Sequence, residues 1–360
     1  MTRWRLTVAA LLLGSCCIAF GEVRIWTDLE GRKAEAEFVG LEGDTLILKK
    51  GSKTIRVPLE SFSAEDQEYA NTADERAVAE KVRLEKERAE KMQAMLGERK
   101  NVPIVERRWA DWKDYYDESL CGSAMRKFFK DERSIVDVAN KGVFVSVEEA
   151  VRPEGYAPTM TVYCPKAYDG TQAYGVYIHI SPNSGPINPG SDHQKMMDKH
   201  KLIYASMSGT SNDEADMRRL AITLDALAQL RADYHVDENR IYVGGTSGGG
   251  AEATMAAFLY PDDFRGSLNS VRSFAVDSVN CLPFADKSDI SKAAKNKQPF
   301  AFISGPNDFN YDYMPGTEQN FLDYGFRAKF FDIPGMGHDT ASASTFDTVI
   351  QWVEKNNPRL

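Results

Sequence analysis

The residues Gly245-Thr246-Ser247-Gly248-Gly249 set a serine among small neighbours in the pattern G-x-S-x-G. A serine hydroxyl is a weak nucleophile until a base takes its proton. The pattern has chemical meaning only where a strand leads into it and a helix leaves it. Both flanks are present. Ile241-Tyr242-Val243-Gly244 has the character of a strand, and Gly250-Ala251-Glu252-Ala253 opens a helix of small residues. Such a turn lifts its serine to the carboxyl edge of a sheet, so Ser247 is the expected nucleophile.

The base is sought among five histidines. His338 alone stands late in the chain, in the loop Pro334-Gly335-Met336-Gly337-His338 after a strand-like run, Lys329 to Ile333. His179 falls inside a strand and reads as a packed core residue. An imidazole acting as base needs a carboxylate to fix its tautomer and stabilise its cation. Asp308, in Ser304-Gly305-Pro306-Asn307-Asp308, is the first choice. Asp312 in the same loop is the second, and Asp339 is too close in sequence to reach His338 well. The oxyanion of an acyl-transfer intermediate needs aimed donors. Gly248 N–H is expected to be one. The loop Ser181-Pro182-Asn183-Ser184-Gly185 should supply the other, and Asn183 is chosen because Pro182 has no N–H. No spacing typical of metal ligands occurs, and neither a metal nor a cofactor is expected.

These residues require a rigid frame. Strand signals recur at Thr159–Tyr163, Tyr174–Ile178, Leu202–Ala205, Arg240–Val243 and Pro299–Ile303. An amphipathic helix over about 212–234 carries Leu220, Leu224, Leu227 and Leu230 at three- and four-residue steps, and another runs from Gly249 to Leu259. Alternating strands and helices predict an α/β domain, a mostly parallel sheet with helices on both faces.

The run Tyr234-x-x-Asp237-x-x-Arg240-Ile241-Tyr242-Val243-x-Gly245-x-Ser247-x-Gly249-Gly250, with Phe264-x-Gly266 downstream, resembles the α/β-hydrolase superfamily. Within it the chain is most similar to exported esterases, the branch with polyhydroxybutyrate depolymerases and feruloyl esterases. The resemblance implies acyl-enzyme hydrolysis without metal or cofactor and the order Ser247, Asp308, His338. One departure is the oxyanion loop, which lacks the usual His-Gly pair. The fold leaves the substrate open.

The N-terminal part is different. Alternation in Glu35–Val39, Thr45–Leu48 and Thr54–Val57, with turns at Gly31, Gly40, Gly43 and Gly51, predicts a small bent β-barrel. Arg24, Trp26-Thr27, Gly31, Ala36, Phe38-Val39-Gly40, Val57-Pro58-Leu59 and Phe62-Ser63-x-x-Asp66-Gln67 resemble the first homology domain of the Sla family of yeast endocytic adaptors, a Src-homology-3-like barrel. That family implies a peptide or envelope partner; Trp26 itself reads first as a core aromatic. Ser63 to Leu96 has no glycine or proline and is dense in Ala, Glu, Lys and Arg, as a charged helical spacer would be.

Arg3 and Arg5, the apolar run Leu6–Leu13 and Ala19-Phe20-Gly21 predict a signal peptide over 1–21. Leu13-Gly14-Ser15-Cys16 resembles a lipobox, which would make Cys16 a lipid anchor. The expected division is therefore a leader, 1–21; a barrel, 22–70; a helical linker, 71–103; and a hydrolase domain, 104–360. A net charge of -9 disfavours phosphate backbones, so nucleic acid is not an expected partner. After the leader only Cys121, Cys164 and Cys281 remain, and their spacing neither requires nor pairs a disulfide. The expected function is an exported serine hydrolase acting on a small-molecule or polysaccharide-linked ester. A peptidase on the same fold and a catalytically idle binding protein recruited through the barrel are the alternatives.

Overall fold

The computed structural model describes residues 23–122, 135–137, 144–276 and 287–360. The expected leader, with Cys16, and Cys281 lie outside those residues. The chain forms two compact units that divide between residues 94 and 95.

In the first unit, β1 (Val23–Thr27), β2 (Lys33–Glu42), β3 (Thr45–Lys50) and β4 (Lys53–Pro58) pair antiparallel in chain order. The two-residue period puts Ala36, Phe38, Leu46 and Leu48 inside, with Glu35, Glu37 and Lys49 facing out. The sheet bends until a bridge joins Asp28 to Phe62. Trp26 is a core residue: it is buried, donates from Nε1 to the Ala36 carbonyl at 3.0 Å, and packs edge-on against Phe62 and Tyr69.

Helix α1 (Ala64–Met95) starts where Ser63 Oγ accepts the Asp66 N–H. The buried Asp66 carboxylate accepts Thr27 N–H at 2.7 Å and Arg24 Nη2 at 2.6 Å, which fixes the first turn to the sheet. Farther along, α1 is exposed and braced by pairs such as Arg83 with Glu87. The helix therefore begins before residue 71. Its expected tail also differs: Gly97–Pro103, read as the end of the linker, is β5, an edge strand of the second unit's sheet. Glycine and proline bound that strand; in the sequence they signal that the helix stops, not that a strand begins.

The second unit holds β6 (Thr159–Cys164), β7 (Tyr174–Ile180), α2 (Ser191–His200), β8 (Leu202–Met207), α3 (Asp216–Asp233), β9 (Val236–Thr246), α4 (Gly248–Leu259), β10 (Ser267–Ser270), β11 (Pro299–Ser304), α5 (Met314–Asp323), β12 (Arg327–Asp332) and α6 (Ala343–Asn356). The sheet order is β12-β11-β10-β9-β7-β8-β6-β5. All neighbours from β8 to β12 run parallel, and β6 is antiparallel to both of its neighbours. Tyr174–Ile180, Leu202–Met207 and Pro299–Ser304 are buried at every position, as strands covered on both faces must be. This is an α/β-hydrolase fold.

The chain moves outward from β7 to β8, then crosses back past β7 to β9. With right-handed crossovers the two connecting helices fall on opposite faces. α2 indeed packs with α6, and α3 with α4. The carboxyl ends of β7 and β9 thus flank a crevice at the reversal of strand order, the place where open α/β sheets take ligands. Cys121 and Cys164 are both buried. Among the described residues no helix is long and apolar enough to cross a membrane, and no cluster of metal-ligating side chains occurs.

Candidate active site

Ser247 stands between β9 and α4 with φ 54° and ψ -125°, a region that L residues rarely occupy. Its N–H donates to Ser270 O at 2.9 Å, and its carbonyl accepts from Gly250 and Ala251 N–H. The glycines around it are required by space. A Cβ on Gly249 would lie 2.0 Å from the Ile180 carbonyl oxygen, and one on Gly245 would lie 2.3 Å from the Gly249 carbonyl carbon. The sharp turn can therefore close against β7 only without side chains at those positions.

The loops after β11 and β12 bring the other two residues to it. His338 Nε2 is 2.9 Å from Ser247 Oγ, and His338 Nδ1 is 2.7 Å from Asp308 Oδ1. The carboxylate can only accept, so Nδ1 carries the proton and Nε2 presents its lone pair to the serine hydroxyl. Asp308 is buried, and its other oxygen accepts from Ser304 Oγ at 2.5 Å. Asn310 N–H adds a bond to Oδ1 at 3.1 Å. The two loops are joined directly, with Asn307 N–H donating to Met336 O at 3.1 Å. Asp312 is exposed in a short 3-10 turn, and the Asp339 carboxylate accepts the Thr340 N–H; neither bonds to His338.

Gly248 N–H, at the start of α4, has no partner among the described residues, as the first N–H groups of a helix do not. Asn183 differs from expectation: its N–H donates to Ser181 Oγ at 3.1 Å, a short-range bond favoured when a serine lies two residues back. The amide of Asn212 lies at the elbow instead. A Cβ on Gly248 would meet Asn212 Oδ1 at 1.8 Å and Nδ2 at 3.0 Å. Asn212 N–H donates to Pro182 O, tying its loop to the one after β7.

Asn212 carried no sequence signal beyond its place after a strand. Phe309, exposed and stacked on His338, carried none either. His179 is buried, and burial drives its imidazole down to about 3; a protonated His193 would push it the same way. It is neutral, with Nδ1 3.1 Å from Tyr177 Oη and Nε2 3.2 Å from Thr246 Oγ1. Thr246 Oγ1 in turn lies 2.7 Å from Thr340 Oγ1. The burial of His179 was legible from its place in a strand; this chain of bonds running past Ser247 was not.

Residues 19–78 match the SLA1 homology domain 1 family. No curated protein matches the chain. Solved structures similar to it include a ferulic acid esterase, 16% identical over 57% of this chain and 93% of its own, with a TM-score of 0.43. Est1E from Butyrivibrio proteoclasticus is 13% identical over 56% of this chain and 96% of its own, with a TM-score of 0.43. A fluorophosphonate-binding serine hydrolase of Staphylococcus aureus is 16% identical over 55% and 93%, with a TM-score of 0.44. By its sheet order and its strand–turn–helix elbow, the chain is an α/β-hydrolase fold, preceded by a segment that matches SLA1 homology domain 1.

Proposed function

We propose that the protein is a serine hydrolase of carboxylic esters that works through an acyl-enzyme. The observation that carries this reading is the unbroken hydrogen-bonded chain from Ser247 Oγ through His338 to Asp308. Ser247 Oγ attacks the ester carbonyl carbon while its proton passes to His338 Nε2. Asp308 stabilises the imidazolium and keeps its orientation. Gly248 N–H, with Asn212 Nδ2 as the second donor, holds the oxyanion. The tetrahedral intermediate then collapses: the bond to the alcohol oxygen breaks, and that oxygen takes the proton from Nε2. Water repeats these steps on the acyl-serine, releasing the acid and restoring Ser247.

A fluorophosphonate probe tests this. Covalent labelling of Ser247, lost in His338→Ala, supports the reading; an unlabelled, folded protein would favour the idle binding alternative. Release of acid from aryl and alkyl esters but not from peptides separates the esterase from a peptidase. We also propose export, supported by the arginine-led apolar run at residues 3–21. N-terminal sequencing of the mature protein from its producing cell tests that, and retention of the leader would overturn it.

A further inference from the structure

A cavity lies on the α2 and α6 face of the sheet, lined in part by Asp339 and Thr340, the two residues that follow His338. It has a volume of about 260 Å3, and its mouth carries Asn188, His193, Asp339 and Thr340 over a floor that includes Tyr177, His179 and Tyr204. Its rim is fixed before any ligand arrives. Tyr204 Oη donates to Ile187 O at 2.6 Å, Ser206 Oγ accepts Ile187 N–H at 3.0 Å, and Asn188 Oδ1 accepts from Thr161 Oγ1 at 2.9 Å.

The polarity of each mouth group follows from its partners. Among the described residues the buried Tyr177 hydroxyl has one acceptor, His179 Nδ1, so it donates there. His179 then carries its proton on Nε2 and gives it to Thr246 Oγ1, and the Thr246 hydroxyl is left to donate to Thr340 Oγ1. Thr340, at the end of this directed chain, has its own proton free for the cavity. Asn188 has its Oδ1 engaged, which leaves Nδ2 as a second donor. His193 Nε2 faces the Ala341 carbonyl at 3.0 Å, so in the neutral ring Nδ1 is an acceptor. Asp339 accepts the Thr340 N–H on Oδ1 and keeps Oδ2 open. Among the described residues, the mouth therefore offers two donors and two acceptors, one of them a carboxylate.

We infer that this cavity binds the alcohol half of the substrate, and that the alcohol is a neutral polyol with neighbouring hydroxyls, such as glycerol or a hexose. This rests on the esterase reading above and names its substrate class. A hydroxyl both donates and accepts, so a pair of them satisfies this mouth, whereas a plain alkyl alcohol would leave its groups unpaired. The Asp339 charge disfavours an alcohol bearing carboxylate or phosphate. The alcohol half is singled out because His338 must hand its proton to the leaving oxygen, and Asp339 and Thr340 directly follow His338.

The test compares 1-monoacetylglycerol with propyl acetate, which share acyl group and chain length. The mature full chain is expected to hydrolyse the glycerol ester with a kcat/KM higher by about tenfold or more, the worth of one or two hydrogen bonds. Asn188→Ala and Thr340→Val are each expected to bring that ratio down, chiefly through KM. Asn188 is on the exposed rim, so its variant keeps the test valid if Thr340→Val does not fold. A ratio near one in the wild type, or a ratio that neither variant moves, overturns the inference while fluorophosphonate labelling of Ser247 leaves the esterase reading standing. Absence of both labelling and ester hydrolysis overturns both.

Discussion

The ring of Phe309 lies over the imidazole of His338, with centroids 4.0 Å apart and planes inclined by 23°. Phe309 is 78% exposed, so its contact with the imidazole, and not core packing, is its main engagement. It covers one face of a ring whose two nitrogens are already held, and in the proposed mechanism it favours the imidazolium formed during acyl transfer. Phe309→Ala should therefore lower kcat on an activated aryl ester by about tenfold, the scale of one modest aromatic contact, with KM little changed. Phe309→Trp should restore most of the rate. An unchanged kcat in Phe309→Ala would remove the positioning role.

Ser247→Ala should reduce ester hydrolysis by roughly 10^4-fold or more, because loss of one triad member disables the whole unit. The folded state should persist, as judged by circular dichroism. Activity within tenfold of wild type would exclude Ser247 as the nucleophile.

Asn212 and Asn183 are separated by a paired test. The Asn212 amide abuts Gly248, while the Asn183 N–H is turned to Ser181 Oγ. Asn212→Ala should cost about 10^2-fold in kcat if its amide holds the oxyanion. Asn183→Ala keeps its backbone N–H and should stay within a few-fold of wild type. The reverse ranking would return the role to the loop after β7 and require that loop to rearrange on binding.

His200 makes stability depend on pH. Glu354 and Asp347 both face its ring, at 3.9 Å from Nδ1 and 2.6 Å from Nε2, and raise its imidazole above the ordinary value against the opposing effect of burial. Arg240, which bonds His200 O and Glu354, and Lys199, which bonds Asp347, are the nearby cations. A raised folded-state value means that the folded protein holds a proton that the unfolded chain releases. The stabilisation is complete below about pH 6.5 and is lost as pH rises through the raised value. The urea midpoint of His200→Gln should therefore fall below that of wild type at pH 5.5 and approach it at pH 8.5. Equal midpoints at pH 5.5 would refute the linkage.

Truncation distinguishes the observed boundary from the one expected. β5 pairs with β6 in the register Gly97↔Cys164 to Pro103↔Thr159, and Arg99 adds a bond to Tyr234 Oη. A chain beginning at residue 96 should hydrolyse activated esters as fast as the full chain. One beginning at residue 104 should melt several degrees lower, since it strips an edge strand and exposes the apolar flank of β6. Equal melting temperatures would show β5 to be dispensable.

The local pattern determined the elements and named the candidate residues. Apolar runs without alternation, bounded by turns and alternating with helices, are strands buried on both faces, which is why the parallel sheet was legible. G-x-S-x-G was legible because the glycines answer a steric demand within five residues, at Gly245 and Gly249. The order Ser247, Asp308, His338 followed from each residue's place just after a strand, because parallel strands deliver their carboxyl-end loops to one edge. Tertiary structure decided the contacts between loops that share no periodicity. Asn212 reaches Gly248 from the loop after β8, and Phe309 covers His338 from the loop after β11. The chain Tyr177, His179, Thr246, Thr340 joins β7 to β9 and then to the loop after β12. The direction of those bonds follows from the buried Tyr177 hydroxyl having to donate to His179, and that is fixed by burial and neighbours in space, which no spacing along the chain encodes.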